Sequence, residues 1–142
     1  ITDKDAPFRI GKGQVMRDGD DVTLVGTGQM VAACLEAAEM LKEEGVSARV
    51  INISTIKPLD ETLLLRAAQE TGCLVTAEEH NRLSGLGSAV ATCLVERVKV
   101  PIQIIGMDDV FGESGESEEL LVKYGLTAES VVEAARQAMR RR

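Results

Sequence analysis

Glu78, Glu79 and His80 stand side by side, followed by Asn81 and Arg82, and His80 is the only histidine in the 142 residues. Carboxylates beside an imidazole are the groups that move protons near neutral pH or ligate a metal. As a metal site the set is incomplete. Adjacent residues do not project onto one face of a helix or strand, and no second His or Cys cluster completes the coordination. No metal is expected on this chain. As an acid/base set it leaves His80 as the one candidate catalytic residue, bordering an active site. The plainer reading makes Glu78, Glu79, His80, Asn81 and Arg82 a polar crest that bonds its own loop or a neighbouring subunit.

A second candidate is Gly26-Thr27-Gly28, between an apolar run and an amphipathic stretch. The dinucleotide-binding fingerprint needs a third small residue and an acidic residue ending the next strand, but Val31 and Asn52-Ile53-Ser54 stand there. What remains is a tight strand-to-helix turn whose free N–H groups can hold an anion. Gly85-Leu86-Gly87-Ser88 is no nucleophile elbow, and no P-loop occurs. Asp18, Asp20 and Asp21 lack the glycine and distal glutamate of a calcium loop.

The elements that must position these groups alternate. Val22–Val25 and Cys73–Thr76 are apolar without a two-residue alternation, as in strands buried on both faces of a parallel sheet. Ala48–Ile53 is a third strand and Ile102–Met107 a fourth buried one. Gln14–Arg17 is a short edge strand, with Asp18-Gly19 as a hairpin-type turn into Val22. A helix runs from about Gln29 to Glu44, with Met30, Cys34, Ala37 and Leu41 as its apolar stripe and Gly45 as its stop. Asp60 caps the next helix, which Gly72 ends. Ser88 sits at the mouth of a third, on which Val90, Cys93, Leu94 and Arg97 recur at helical spacing. Ser117 caps a short fourth helix, with Glu118 and Glu119 in its first turn, and Gly125 stops it. Thr127 caps the last. Strands alternating with helices predict a three-layer α/β/α domain over residues 14–142, behind an N-terminal linker over residues 1–13. The crest then falls at the carboxyl end of a central strand, where open α/β sheets place their ligands.

Composition narrows the field. A net charge of −7 argues against nucleic-acid or anionic-membrane partners, and Phe8, Phe111 and Tyr124 are too few aromatics for a base-stacking platform. No apolar run approaches the ~20 residues of a membrane span. Cys34, Cys73 and Cys93 lie in apolar elements without CxxC spacing and read as reduced core thiols of a cytoplasmic protein. The start at Ile1 suggests a fragment or a processed terminus.

Several stretches taken together resemble the C-terminal domain of transketolase. They are Ala6–Gly13, Thr55-Ile56-Lys57-Pro58-Leu59-Asp60, Ala77-Glu78-Glu79-His80, Gly85–Val90, Phe111-Gly112-Glu113-Ser114-Gly115 and Glu119–Thr127. The likeness runs from about Ala6 to Met139. It implies a five-stranded mixed sheet in order 1-3-2-4-5 with strand 1 antiparallel. It also implies that thiamine diphosphate and a divalent metal belong to the parent enzyme, held by other modules through a motif beginning Gly-Asp-Gly that is absent here. Asp18-Gly19-Asp20 is only an inverted look-alike. The chain alone is then expected to bind no cofactor and to be inactive. Its partners would be the other transketolase modules or an N-terminal subunit, in a homodimer that transfers two-carbon ketol units between sugar phosphates. The alternative implied by the same resemblance is the equivalent module of a 2-oxo acid dehydrogenase beta subunit or of deoxyxylulose-phosphate synthase, acting as an interaction or dimerisation domain. A free-standing small-anion or nucleotide binder using Gly26–Gly28 is a third reading.

Overall fold

Residues alternating along each strand divide the core in two. Val22, Leu24, Val50, Val75 and Ala77 pack on one side of the sheet, and Val25, Ile51, Ile53 and Leu74 on the other. The computed structural model describes residues 8–110 and 114–142. The motif residues Ala6, Pro7, Phe111, Gly112 and Glu113 therefore lie outside the described residues.

In chain order the elements are β1 (Gln14–Arg17), β2 (Val22–Gly26), α1 (Met30–Glu43), β3 (Ala48–Asn52), α2 (Glu61–Thr71), β4 (Leu74–Asn81), α3 (Leu86–Val95), β5 (Ile102–Met107), α4 (Ser117–Lys123) and α5 (Ala128–Arg140). The sheet order is β1-β3-β2-β4-β5, with β1 antiparallel to β3 and the other pairings parallel. The expected order and the antiparallel first strand are both present. Helices α1 and α5 cover one face, and α2 and α3 the other.

Three expectations need correction. Asp18-Gly19 does not turn β1 into a hairpin with β2, because both edges of β2 are already paired, to β3 and β4. β1 instead pairs with the far edge of β3, Gln14 opposite Asn52, with a bulge before Arg17. The Asp18 carboxylate accepts from the Gly19 N–H (3.0 Å) and from Arg49 Nε (3.0 Å); these two, the amide first, hold its carboxyl below the ordinary value. A Cβ on Gly19 would sit 2.4 Å from the backbone of Ala48, so the chain passes here only as glycine. Second, β5 is not a buried strand: it is the sheet's edge, and all its residues are half-buried. Third, α4 begins at Ser117 with Glu116 in the cap position, one residue before the predicted cap.

The helix starts at Asp60 and Thr127 are as read. Asp60 accepts from Leu63 N–H (3.3 Å) and Thr127 Oγ1 from Ser130 N–H (3.3 Å). Asp60 also binds Gly13 N–H (3.1 Å), while Gly11 N–H reaches Thr55 Oγ1 (3.1 Å). Residues 8–13 are thus laid along the Thr55–Asp60 loop, at the end of the sheet that carries the crest.

Candidate functional site

β4 runs on past its apolar part. Leu74–Ala77 are buried, and the extended backbone continues through Glu78, Glu79, His80 and Asn81 before turning. The first of these polar residues is not on the surface. Glu78 is 1% exposed, and its two carboxylate oxygens accept from the N–H groups of Leu86 (2.7 Å) and Gly87 (2.8 Å) at the start of α3. A buried carboxylate costs several kcal/mol in desolvation unless it is met by donors. Here two backbone amides and the positive end of a helix meet it. The Gly85 backbone lies across the carboxylate, and a Cβ there would fall 1.7 Å from Oε2. Ser88, read as the helix mouth, lies inside α3, and its hydroxyl donates to the Arg82 carbonyl (3.1 Å). The cap comes from a neighbouring strand, not from the helix's own N-terminal sequence.

Beyond Glu78 the crest reaches solvent. Glu79 and His80 are exposed. His80 Nδ1 donates to the Asn81 carbonyl (3.2 Å), which leaves Nε2 as the nitrogen available to a partner. Asn81 donates to Asp109 (2.8 Å) and accepts from Leu83 N–H (2.9 Å), and Arg82 lies 3.4 Å from Asp108. Among the described residues no carboxylate pairs with His80 to orient it as a general base.

The crest faces the other candidate across a cavity of about 490 Å³. Thr27, Gly28 and Gln29 form one wall and Glu79, His80 and Ser84 the other. The structure therefore brings together two groups that are some fifty residues apart in sequence. Thr27 N–H is used by Ala77 O, and the first turn of α1 closes on itself through Met30, Val31 and Ala32. Gln29 makes no side-chain cap, so the Gly28 and Gln29 amides remain at the wall. Glu78 and Glu79 line the same space, which sets carboxylates against any anion held there. A second hollow of about 650 Å³ adjoins it, sharing Ile56, Ser84 and Gly85 and ending at the Arg97–Glu61 ion pair (2.6 Å).

A diphosphate-bearing cofactor with its metal does not fit these donors. Among the described residues no cluster of His, Cys, Asp and Glu can hold a metal, and Glu78 is already engaged by α3. Cys34, Cys73 and Cys93 are free and buried, and burial pushes the Cys34 thiol up to about 12. No helix of the described residues is long and apolar enough to cross a membrane.

The family model described as transketolase, C-terminal domain, matches residues 11–131. This chain belongs to the transketolase C-terminal domain family. It is 45% identical, over all of its length, to the 6-deoxy-6-sulfo-D-fructose transketolase subunit of Clostridium sp. (strain MSTE9), and covers 44% of that protein. It is 44% identical over 94% of its length to a 1-deoxy-D-xylulose-5-phosphate synthase of Desulforudis audaxviator, covering 21% of it. Among solved structures it is similar to a split-gene transketolase, described as an inactive beta4 tetramer, with a TM-score of 0.94 and 48% identity over 98% of this chain and 46% of that one. The chain spans less than half the length of these relatives. A transketolase C-terminal domain accounts for a crest without a cofactor-binding donor set, since the relatives carry at least as much chain again outside the matched part. Identity alone does not separate the transketolase subunits from the synthases, at 45% and 44%.

The sequence singles out every crest residue but not the role of Glu78. A capping box is found by an offset of three residues, whereas Glu78 lies eight and nine residues before the amides it binds. The one available signal is an acidic residue ending an apolar run, followed by Gly-x-Gly at the next helix start.

Proposed function

We propose that this chain is the C-terminal, non-cofactor-binding module of a transketolase, supporting an enzyme that transfers two-carbon ketol units between sugar phosphates. The crest Glu79–Arg82 and the cavity beside it would face the remaining modules, with His80 bordering the active site they complete. The observation that carries this reading is the state of Glu78. The innermost carboxylate of the crest is bound to the chain's own helix, so the crest presents a shaped polar rim with no metal-holding cluster among the described residues. The position of residues 8–13 supports it, since the chain enters the domain at the crest end. The similar split-gene transketolase is described as inactive in its beta4 form, which supports an inactive isolated chain.

The test is reconstitution. Alone, the chain is expected to show no ketol transfer and no thiamine diphosphate binding by calorimetry. Mixed with a subunit carrying the other modules, it should restore transfer. Micromolar cofactor binding by this chain alone would overturn the proposal. The 44% identity to the synthase supports a second reading, the same module in a deoxyxylulose-phosphate synthase. Reconstituted product analysis separates the two: ketol transfer between sugar phosphates marks the transketolase, and 1-deoxy-D-xylulose 5-phosphate marks the synthase.

A further inference from the structure

The chain has 23 acidic residues against 16 Lys and Arg, so few of its cations need go unpaired. Among the described residues, the cationic side chains with no carboxylate within ion-pair distance are Arg9, Lys57, Lys99, Arg141 and Arg142. The last three line one hollow of about 420 Å³, at the end of the sheet away from the crest. No Asp or Glu lines it. Its other walls include the Gln69 amide, Gly72 and the apolar Val98, Val100 and Pro101. Helix C-termini attract cations, and α2 and α5 both end here. Two such ends together carry roughly one negative charge, which a single cation offsets. Arg142 is that cation. Its Nη1 donates to the carbonyls of Thr71 (3.3 Å) and Asp21 (3.1 Å), and its stem lies on Gly72, where a Cβ would fall 2.8 Å from Cδ. The guanidinium is thereby fixed at the wall of the hollow. Lys99 and Arg141 add two further positive charges that no carboxylate meets.

We propose that this hollow binds a small phosphate-bearing anion, held by Lys99, Arg141 and the fixed guanidinium of Arg142. Guanidinium groups match the oxygens of a phosphate with paired, charge-assisted hydrogen bonds, and an ammonium adds a point charge. The two charges left over at Lys99 and Arg141 match a ligand carrying two or more negative charges. Val98, Val100 and Pro101 supply an apolar wall for the ligand's uncharged part. The space is that of a small-molecule site, which sets it apart from an extended basic groove. A net charge of −7 also works against a nucleic acid here, because the rest of the surface would repel its length. The hollow shares no residue with the crest or its cavities, so the inference stands or falls independently of the proposed function.

The experiment is titration of the intact chain with inorganic pyrophosphate, without metal, followed by calorimetry and by residue-resolved amide chemical shifts. Saturable binding below millimolar concentration is expected, with shifts centred on Gln69, Gly72, Lys99 and Arg141. Lys99→Glu and Arg141→Glu should each weaken binding about tenfold or more, while Lys57→Glu, at an unpaired cation elsewhere, should leave it unchanged. Lys99 and Arg141 are exposed, so urea midpoints of both variants should match that of the unaltered chain. Absence of binding at millimolar pyrophosphate would overturn the proposal. So would shifts centred on Thr27–Gln29, which would put the anion at the start of α1, or equal weakening by Lys57→Glu, which would reduce the effect to net charge. If either variant fails to fold, the shifts in the unaltered chain still decide.

Discussion

Glu78 is a charged residue in the position of a core residue, and its environment states what it is for. Its neighbours Thr76 and Ala77 are fully buried, and it reaches sideways from β4 to the first amides of α3. Replacing it by alanine leaves two buried N–H groups without acceptors, at about 1–3 kcal/mol each. Glu78→Ala should therefore lower unfolding free energy by about 2–5 kcal/mol in urea titrations. An unchanged midpoint would show that the α3 amides find other acceptors. Cys34 gives a pH-dependent counterpart. Burial disfavours the thiolate and pushes its folded pKa up to about 12, from an ordinary 9.0. Below pH 9 the thiol is protonated in both states and costs nothing. As pH rises from 9 towards 12 only the unfolded chain gains the thiolate, so stability falls across that window, by up to about 4 kcal/mol. Cys34→Ala should flatten the alkaline limb of a stability-against-pH curve. If the two limbs superimpose, Cys34 is not the group responsible.

At the scale of elements, the helix stops and the starts of α2 and α5 were legible because they depend on neighbouring residues, while Ser88 lies inside α3 and the cap of α4 is Glu116. Asp60 and Thr127 cap the helices that follow them, and Gly45, Gly72 and Gly125 stand just past helix ends. Asp60 also ties Gly13 to α2, so Asp60→Ala removes a cap and a tether together. It should cost about 1–2 kcal/mol, and hydrogen exchange at Leu63 and Gly13 should rise first. Exchange confined to other elements would mean that the cap contributes nothing local. What the sequence left hidden depends on residues far apart in the chain. The pairing of β1 follows from β2 being occupied on both sides, not from the Asp18-Gly19 turn, which looks like a hairpin by itself. The exposure of β5 follows from its place at the end of the sheet order, since its apolar run reads like that of β2. The candidate site shows the same division. His80 and its neighbours are visible as residue types, while the cavity they share with Thr27–Gln29 exists only once β2 and β4 lie side by side.

Across the whole molecule the parallel strands give the domain two unlike ends. The crest end gathers the N-termini of α1, α2 and α3, two of them capped by Asp60 and Glu78. The opposite end gathers helix C-termini, where cations are favourable. Arg142 is an example: its guanidinium donates to the carbonyls of Thr71 (3.3 Å) and Asp21 (3.1 Å), holding α5 to the ends of α2 and the β1–β2 turn. These ends should be separable by mutation if the crest is the assembly face. Arg142→Ala is expected to lower stability by about 1 kcal/mol through loss of charge-assisted hydrogen bonds made by an exposed side chain, while leaving affinity for the partner module unchanged. His80→Ala is expected to do the reverse. Stability should hold, because the ring is exposed and, among the described residues, bonded to its neighbour's carbonyl alone, while assembly weakens or the substrate KM rises. A general acid or base contributes ~100-fold or more to turnover. A loss of that size in kcat for His80→Ala, with assembly intact, would make His80 catalytic and would move the crest from the border of the active site into it.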